Sequence, residues 1–80
     1  MKIGWVYEGE QGFWRSMECR FSISPIYLGR TTPQGYEARD AITGKTHRGF
    51  HSVNDAKDYC RRLCEHELTL ELGIIFKNNA

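Results

Sequence analysis

Apolar and polar side chains alternate with period two over two stretches of the chain and with period 3.6 over a third, and this order predicts the layout. From Met17 to Ser24 the alternation places Met17, Cys19, Phe21 and Ile23 on one face and Glu18, Arg20, Ser22 and Ser24 on the other. That is the pattern of a half-buried strand. Pro25 follows, and because proline cannot donate to a ladder it argues against continuing this segment as a central strand. Ile26, Tyr27 and Leu28 resume an extended segment beyond the break, and residues 29–35 (Gly-Arg-Thr-Thr-Pro-Gln-Gly) are turn chemistry. Alternation returns at Tyr36, with Tyr36, Ala38 and Asp40 sharing a face. Thr43-Gly44 closes a hairpin in which glycine supplies the positive φ, and the return strand runs from Lys45 to Phe50. Earlier, Ile3-Gly-Trp-Val-Tyr7 is rich in strand formers. It leaves through the polar, glycine-flanked turn at residues 8–12 into Phe13 and Trp14.

The best-marked boundary is Ser52. Ser-Val-Asn-Asp places a side-chain oxygen at a helix N-cap with a carboxylate three positions on, in the manner of a capping box. Val53, Ala56, Cys60, Leu63 and Cys64 then follow the helical period and form the buried stripe, while Lys57, Asp58, Arg61, Arg62 and Glu65 face solvent. After His66 two patterns compete. Leu68, Leu70 and Leu72 alternate as in a strand, yet Cys64, Leu68 and Leu72 keep the spacing of a helix. The helical reading is preferred, in a continued or second helix ending near Leu72 at a Gly73 stop, with Ile74, Ile75 and Phe76 packing back and residues 78–80 fraying. The expected architecture is a single α+β domain over residues 1–80, an antiparallel sheet of three or four strands packed against one or two C-terminal helices.

Eighty residues suffice for one small domain, and ten aromatic residues offset the small size because each buries a large area. Forty per cent apolar and 26% charged residues exclude a disordered chain. No apolar run approaches the ~20 residues that span a bilayer, and the N-terminus lacks the layout of a signal peptide. A cytoplasmic chain with no membrane partner is expected. Three cysteines, an odd number with two of them four apart on one helix, make no disulfide framework. The net charge of +1 is uneven: residues 30–62 hold seven basic and four acidic groups, residues 63–80 one basic and three acidic.

Candidate chemistry is sparse. His47, His51, Cys60 and Cys64 are zinc-binding residue types, and one helical turn separates the two thiols. Both lie in the apolar stripe, however, where a free cysteine behaves as a small hydrophobe, so core packing is preferred and no cofactor is expected. Cys64 and His66 point to different helix faces, which denies a thiol its base. Asp40 and His47 flank the hairpin and pair across it at most as a surface hydrogen bond. No catalytic residue is therefore assigned.

Binding fits better. Exposed Trp, Tyr and Arg dominate interface hot spots, and Trp14 beside Arg15, and Tyr27 near Arg30, are the first candidates. A nucleic-acid reading instead gathers Arg30, Arg39, Lys45, Arg48, Lys57, Arg61 and Arg62 on the hairpin and helix, with Trp5, Tyr7, Trp14, Tyr27 and Tyr36 as stacking surfaces. The strands-then-helix order is loosely similar to the later part of a double-stranded RNA-binding domain, without the helix that precedes its sheet.

The run Gly-Tyr-Glu-Ala-Arg-Asp-x-x-Thr-Gly-Lys followed by Gly-Phe-His-Ser-x-x-Asp-Ala-Lys-x-Tyr-Cys, over residues 35–64, resembles small phage and prophage accessory proteins, among them anti-CRISPR and other anti-defence inhibitors. The resemblance implies a stoichiometric blocker of a protein or ribonucleoprotein complex of a bacterial host, with no chemistry of its own. In that setting the acidic residues Glu65, Glu67 and Glu71 are expected to mimic phosphates against a basic host surface. The expected function is thus non-enzymatic macromolecule binding, through some of Trp14, Arg15, Tyr27, Arg30, Arg39, Arg48, Arg61, Arg62, Glu65, Glu67 and Glu71. Direct nucleic-acid binding is the alternative.

Overall fold

A computed structural model describes the backbone of residues 2–29 and 31–78, and side chains as far as Leu68. Five strands, β1 (Trp5–Glu8), β2 (Phe13–Ser16), β3 (Phe21–Ile26), β4 (Gly35–Asp40) and β5 (Thr46–Phe50), precede one helix, α1 (Val53–Asn78). Each strand pairs antiparallel with the next, in the spatial order β1-β2-β3-β4-β5. This is the expected α+β fold, with five strands in place of three or four and one described helix.

The extra strand arises where the Met17–Ser24 alternation misleads. Residues 17–20 turn the chain between β2 and β3: Cys19 takes the left-handed backbone conformation (φ 63°), and Met17 and Cys19 are exposed. Ser16 pins this turn. Its carbonyl accepts the Cys19 N–H at 2.9 Å, and its buried hydroxyl accepts the Phe21 N–H at 2.9 Å. Only from Phe21 does alternation describe a strand.

Pro25 also proves compatible with β3, where it stands opposite Tyr36 of β4. The physical reason lies on the other side of the strand. Pairing with β2 is confined to Trp14↔Ile23 and Arg15↔Ser22, so past Ile23 the centre strand is locally an edge. Proline's missing N–H then costs no ladder bond, which is where strands tolerate it.

Cross-strand register sorts the side chains by face. One face carries Trp5, Tyr7, Trp14, Ser16, Phe21, Ile23, Pro25, Tyr36, Ala38 and Asp40; the other carries Val6, Arg15, Ser22, Arg39 and Arg48. The helix packs on the β3–β5 part of the first. Phe21, Ile23 and Ala38 are buried against Ala56 and Cys60, with Val53, Tyr59, Leu63 and Cys64 packed around them. The helix begins as its sequence demands, the Asp55 N–H donating to the Ser52 Oγ at 3.1 Å. The β4–β5 turn uses Gly44 at φ 75°, its N–H donating to the Asp40 carbonyl at 2.8 Å.

The helix does not stop at Gly73. It continues as one piece to Asn78, so Ile74, Ile75 and Phe76 are helical in backbone rather than a separate segment; their side chains, and residues 79 and 80, lie outside the described residues. An apolar sequence after a lone glycine extends a helix at a cost of only about 1 kcal/mol for that glycine.

Candidate binding groove

The helix starts over the Tyr36–Phe50 end of the sheet and runs toward the Phe21–Asp40 end, where α1 and β3–β4 are tied by one arginine. Arg20 reaches Asp40 with two bonds, Nε to Oδ1 at 3.2 Å and Nη2 to Oδ2 at 3.0 Å. It reaches Glu67 with two more, Nη1 to Oε2 at 2.8 Å and Nη2 to Oε1 at 2.6 Å. Asp40 is nearly enclosed, its side chain 7% exposed. The Arg20 guanidinium holds the carboxyls of Asp40 and Glu67 below their usual range and is itself held protonated by them. This closed network replaces the expected Asp40–His47 pairing. Asp40 also accepts the Ile42 N–H at 2.9 Å, while His47 lies against the Tyr59 ring, centroids 4.8 Å apart.

Cys60 is fully buried, and desolvation pushes its thiol up to about 12; burial raises Cys64 as well. Thiols so placed stay protonated at neutral pH and pack as hydrophobes. Among the described residues no three metal-ligating side chains converge, and no helix is long and apolar enough to cross a membrane.

At the other end the same face is left open. Beyond the helix N-terminus lies a groove of about 220 Å³ whose walls are Tyr7, Trp14, Pro25, Tyr27, Pro33 and Tyr36, floored by Ile23 and flanked by Val53 and Gly12. Each wall has a local cause. Tyr7 and Trp14 are cross-strand partners, their rings 5.0 Å apart and tilted by 50°, a favourable aromatic geometry. Pro25 and Tyr36 are also partners. Tyr27 and Pro33 come from the segment joining β3 to β4. Trp14 is fixed further by the Lys57 ammonium, 3.8 Å from its ring centroid, so Lys57 is half-buried on an aromatic surface instead of facing solvent. Tyr7 and Tyr27 are each 53% exposed. Among the described residues no charged side chain lines the groove.

The candidate residues named from sequence fall into three groups. Trp14 and Tyr27 meet in the groove. Arg15, Arg39 and Arg48 lie on the opposite sheet face, because neighbours along a strand point to opposite sides; Trp14 and Arg15 therefore cannot share one patch. On that face Arg15 donates to Glu8 at 3.0 Å and Arg48 to Glu37 at 3.0 Å, while Arg39 is exposed and makes no ion pair among the described residues. The third group lies along α1. Arg61 bridges Asp58 at 2.6 Å and Glu65 at 2.9 Å, Arg62 meets Asp58 at 2.9 Å, and Glu67 is bound to Arg20. Of the phosphate-mimicking acids, Glu65 and Glu67 are therefore each bonded to an arginine of the same chain. Arg30 and the Glu71 side chain lie outside the described residues.

The contribution of Pro25 and Pro33 was not apparent from sequence, where both read as chain breakers; Pro25 reaches the groove through its pairing with Tyr36, which no local spacing reports. Comparison with protein-family models, characterised proteins and solved structures finds no match to this chain.

Proposed function

We propose that this chain is a non-enzymatic protein-binding module whose contact site is the aromatic groove at the helix N-terminal end of the sheet. The observation that supports it most is the unfinished core: four aromatic rings and two prolines line one groove, two of the rings half in water. Tyrosine and tryptophan fixed in this way offer large contact area at small entropic cost. The cations favour a protein over a nucleic acid as partner. Among the described arginines all but Arg39, namely Arg15, Arg20, Arg48, Arg61 and Arg62, are matched to a carboxylate of the same chain, whereas nucleic-acid affinity draws on cations available for phosphates. In the setting implied by the resemblance to phage accessory proteins, the partner is a protein of a bacterial host and occupancy of the groove is how a stoichiometric inhibitor blocks it.

Selection from a random peptide library tests the reading. Peptides enriched on the full chain should lose binding to the double variant Tyr7→Ala, Tyr27→Ala. If every enriched peptide binds that variant as well as the parent, the groove is not the contact site.

A further inference from the structure

We infer that the occupant of the groove is a proline-rich segment in the polyproline II conformation. This rests on the reading of the groove as a protein-binding site and sharpens it to one ligand chemistry. Three observations carry it. The walls combine four flat rings with two pyrrolidines, and no charged side chain stands in the described lining. Tyr7, Trp14 and Tyr36 stand on one face of β1, β2 and β4, Tyr36 two residues along from the position level with Trp14, so the row runs obliquely across three strand spacings, roughly 16 Å at about 4.8 Å per spacing and about 3.3 Å per residue. A polyproline II helix advances about 3.1 Å per residue with three residues per turn. Prolines three apart therefore fall about 9 Å apart on one face, and about five residues fill the row.

Polarity matches as well. A polyproline II backbone makes no internal hydrogen bonds and presents unpaired carbonyls, and proline offers no N–H. Its complement is an apolar surface edged with donors, which the phenol O–H groups of Tyr7, Tyr27 and Tyr36 supply. Because this ligand is already extended when free, binding orders little chain, which suits a shallow site of small area. A single-stranded nucleic acid also stacks on rings, but it brings one negative charge per nucleotide. Among the described residues the cation beside these rings is Lys57, which sits over Trp14, and the described lining holds no charge.

The test is a titration of the full chain with three probes: a decapeptide containing two Pro-x-x-Pro repeats, the groove-dependent peptides from the library selection, and a ten-nucleotide oligothymidylate. Tryptophan fluorescence and the NMR ring signals of Tyr7, Trp14, Tyr27 and Tyr36 are followed. The proline peptide should saturate these signals, with affinity falling about tenfold in Tyr27→Ala and less in Tyr27→Phe, which keeps the ring and removes the donor. Tyr27 is half exposed, so both variants retain the fold, which the amide spectrum checks. If selected peptides without proline bind while the proline peptide does not, the polyproline inference fails and the protein-binding reading stands. Should oligothymidylate alone move the ring signals, both fail in favour of base stacking; if none of the probes binds, both fail outright.

Discussion

At the Phe21–Asp40 end of the sheet, no buried side-chain polar atom among the described residues lacks a partner, and Phe21, Ala38, Ala56 and Cys60 are at or below 2% exposure. At the Tyr7–Tyr36 end of the same face stand four aromatic rings, two of which, Tyr7 and Tyr27, remain half in water. The difference is not one of composition. It follows from where α1 begins. Ser52 caps the helix over β5 and sends it toward Arg20, so the helix shields one end and leaves the other to the aromatic residues alone. Among the described residues α1 packs on β3, β4 and β5, and a helix about 10 Å wide does not cover five strands about 4.8 Å apart. The closed end supplies the stability that lets the open end stay exposed, and exposed aromatic surface held on a rigid scaffold is the usual mark of a contact site.

This contrast makes stability and binding separable, and it can be broken at either end. The largest effect is expected from Arg20→Met, which leaves the enclosed Asp40 carboxylate without its cation; loss of one partner of a buried pair destabilises by about 3–5 kcal/mol, read as a fall in the urea midpoint. An unchanged midpoint would show that the closed end is not what holds the helix. Ile23→Ala, at a fully buried position beneath Ala56 and Cys60, should cost about 2–4 kcal/mol.

Acid should act on the same network. Asp40 and Glu67 have lowered carboxyl pKa values in the folded chain, so the stability they contribute is complete above their unfolded values, about pH 4. It is lost as pH falls through the lower folded values. The urea midpoint should therefore drop between pH 5 and about pH 2 in the parent and drop less in Arg20→Met; parallel pH profiles would contradict the assignment. Ser52→Ala removes the cap and should cost about 1 kcal/mol, measurable by thermal melting. At the open end, Tyr7→Ala and Tyr27→Ala should change stability by no more than about 0.5 kcal/mol while weakening ligand binding about tenfold. A large loss of stability in either would mean the rings belong to the core after all.

The helix start was plainly legible, because Ser52, Asp55 and the Val53–Cys64 stripe are local signals with short-range causes. So was the hairpin around Gly44. What escaped reading was non-local. The Arg20–Glu67 bond joins residues 47 apart, and no spacing rule reports such a pair. The Met17–Cys19 turn hid inside a valid alternation because period two persists through a turn made by one left-handed residue. The groove was half visible: Trp14 and Tyr27 stood out as aromatics near turns, but their meeting with Tyr36, Pro25 and Pro33 depends on strand register, which sequence alone does not fix.

The notch beside Pro25 has a consequence for solubility. A strand stripped of one neighbour is an invitation for an intruding chain to template onto it. Here the vacated side of β3 begins one residue before a proline, so an incoming strand would find a missing donor and a ring in its path. The residue that reads as a flaw in the ladder also acts as a guard against fibril growth, and replacing it by threonine should leave the monomer folded while making it more prone to aggregate.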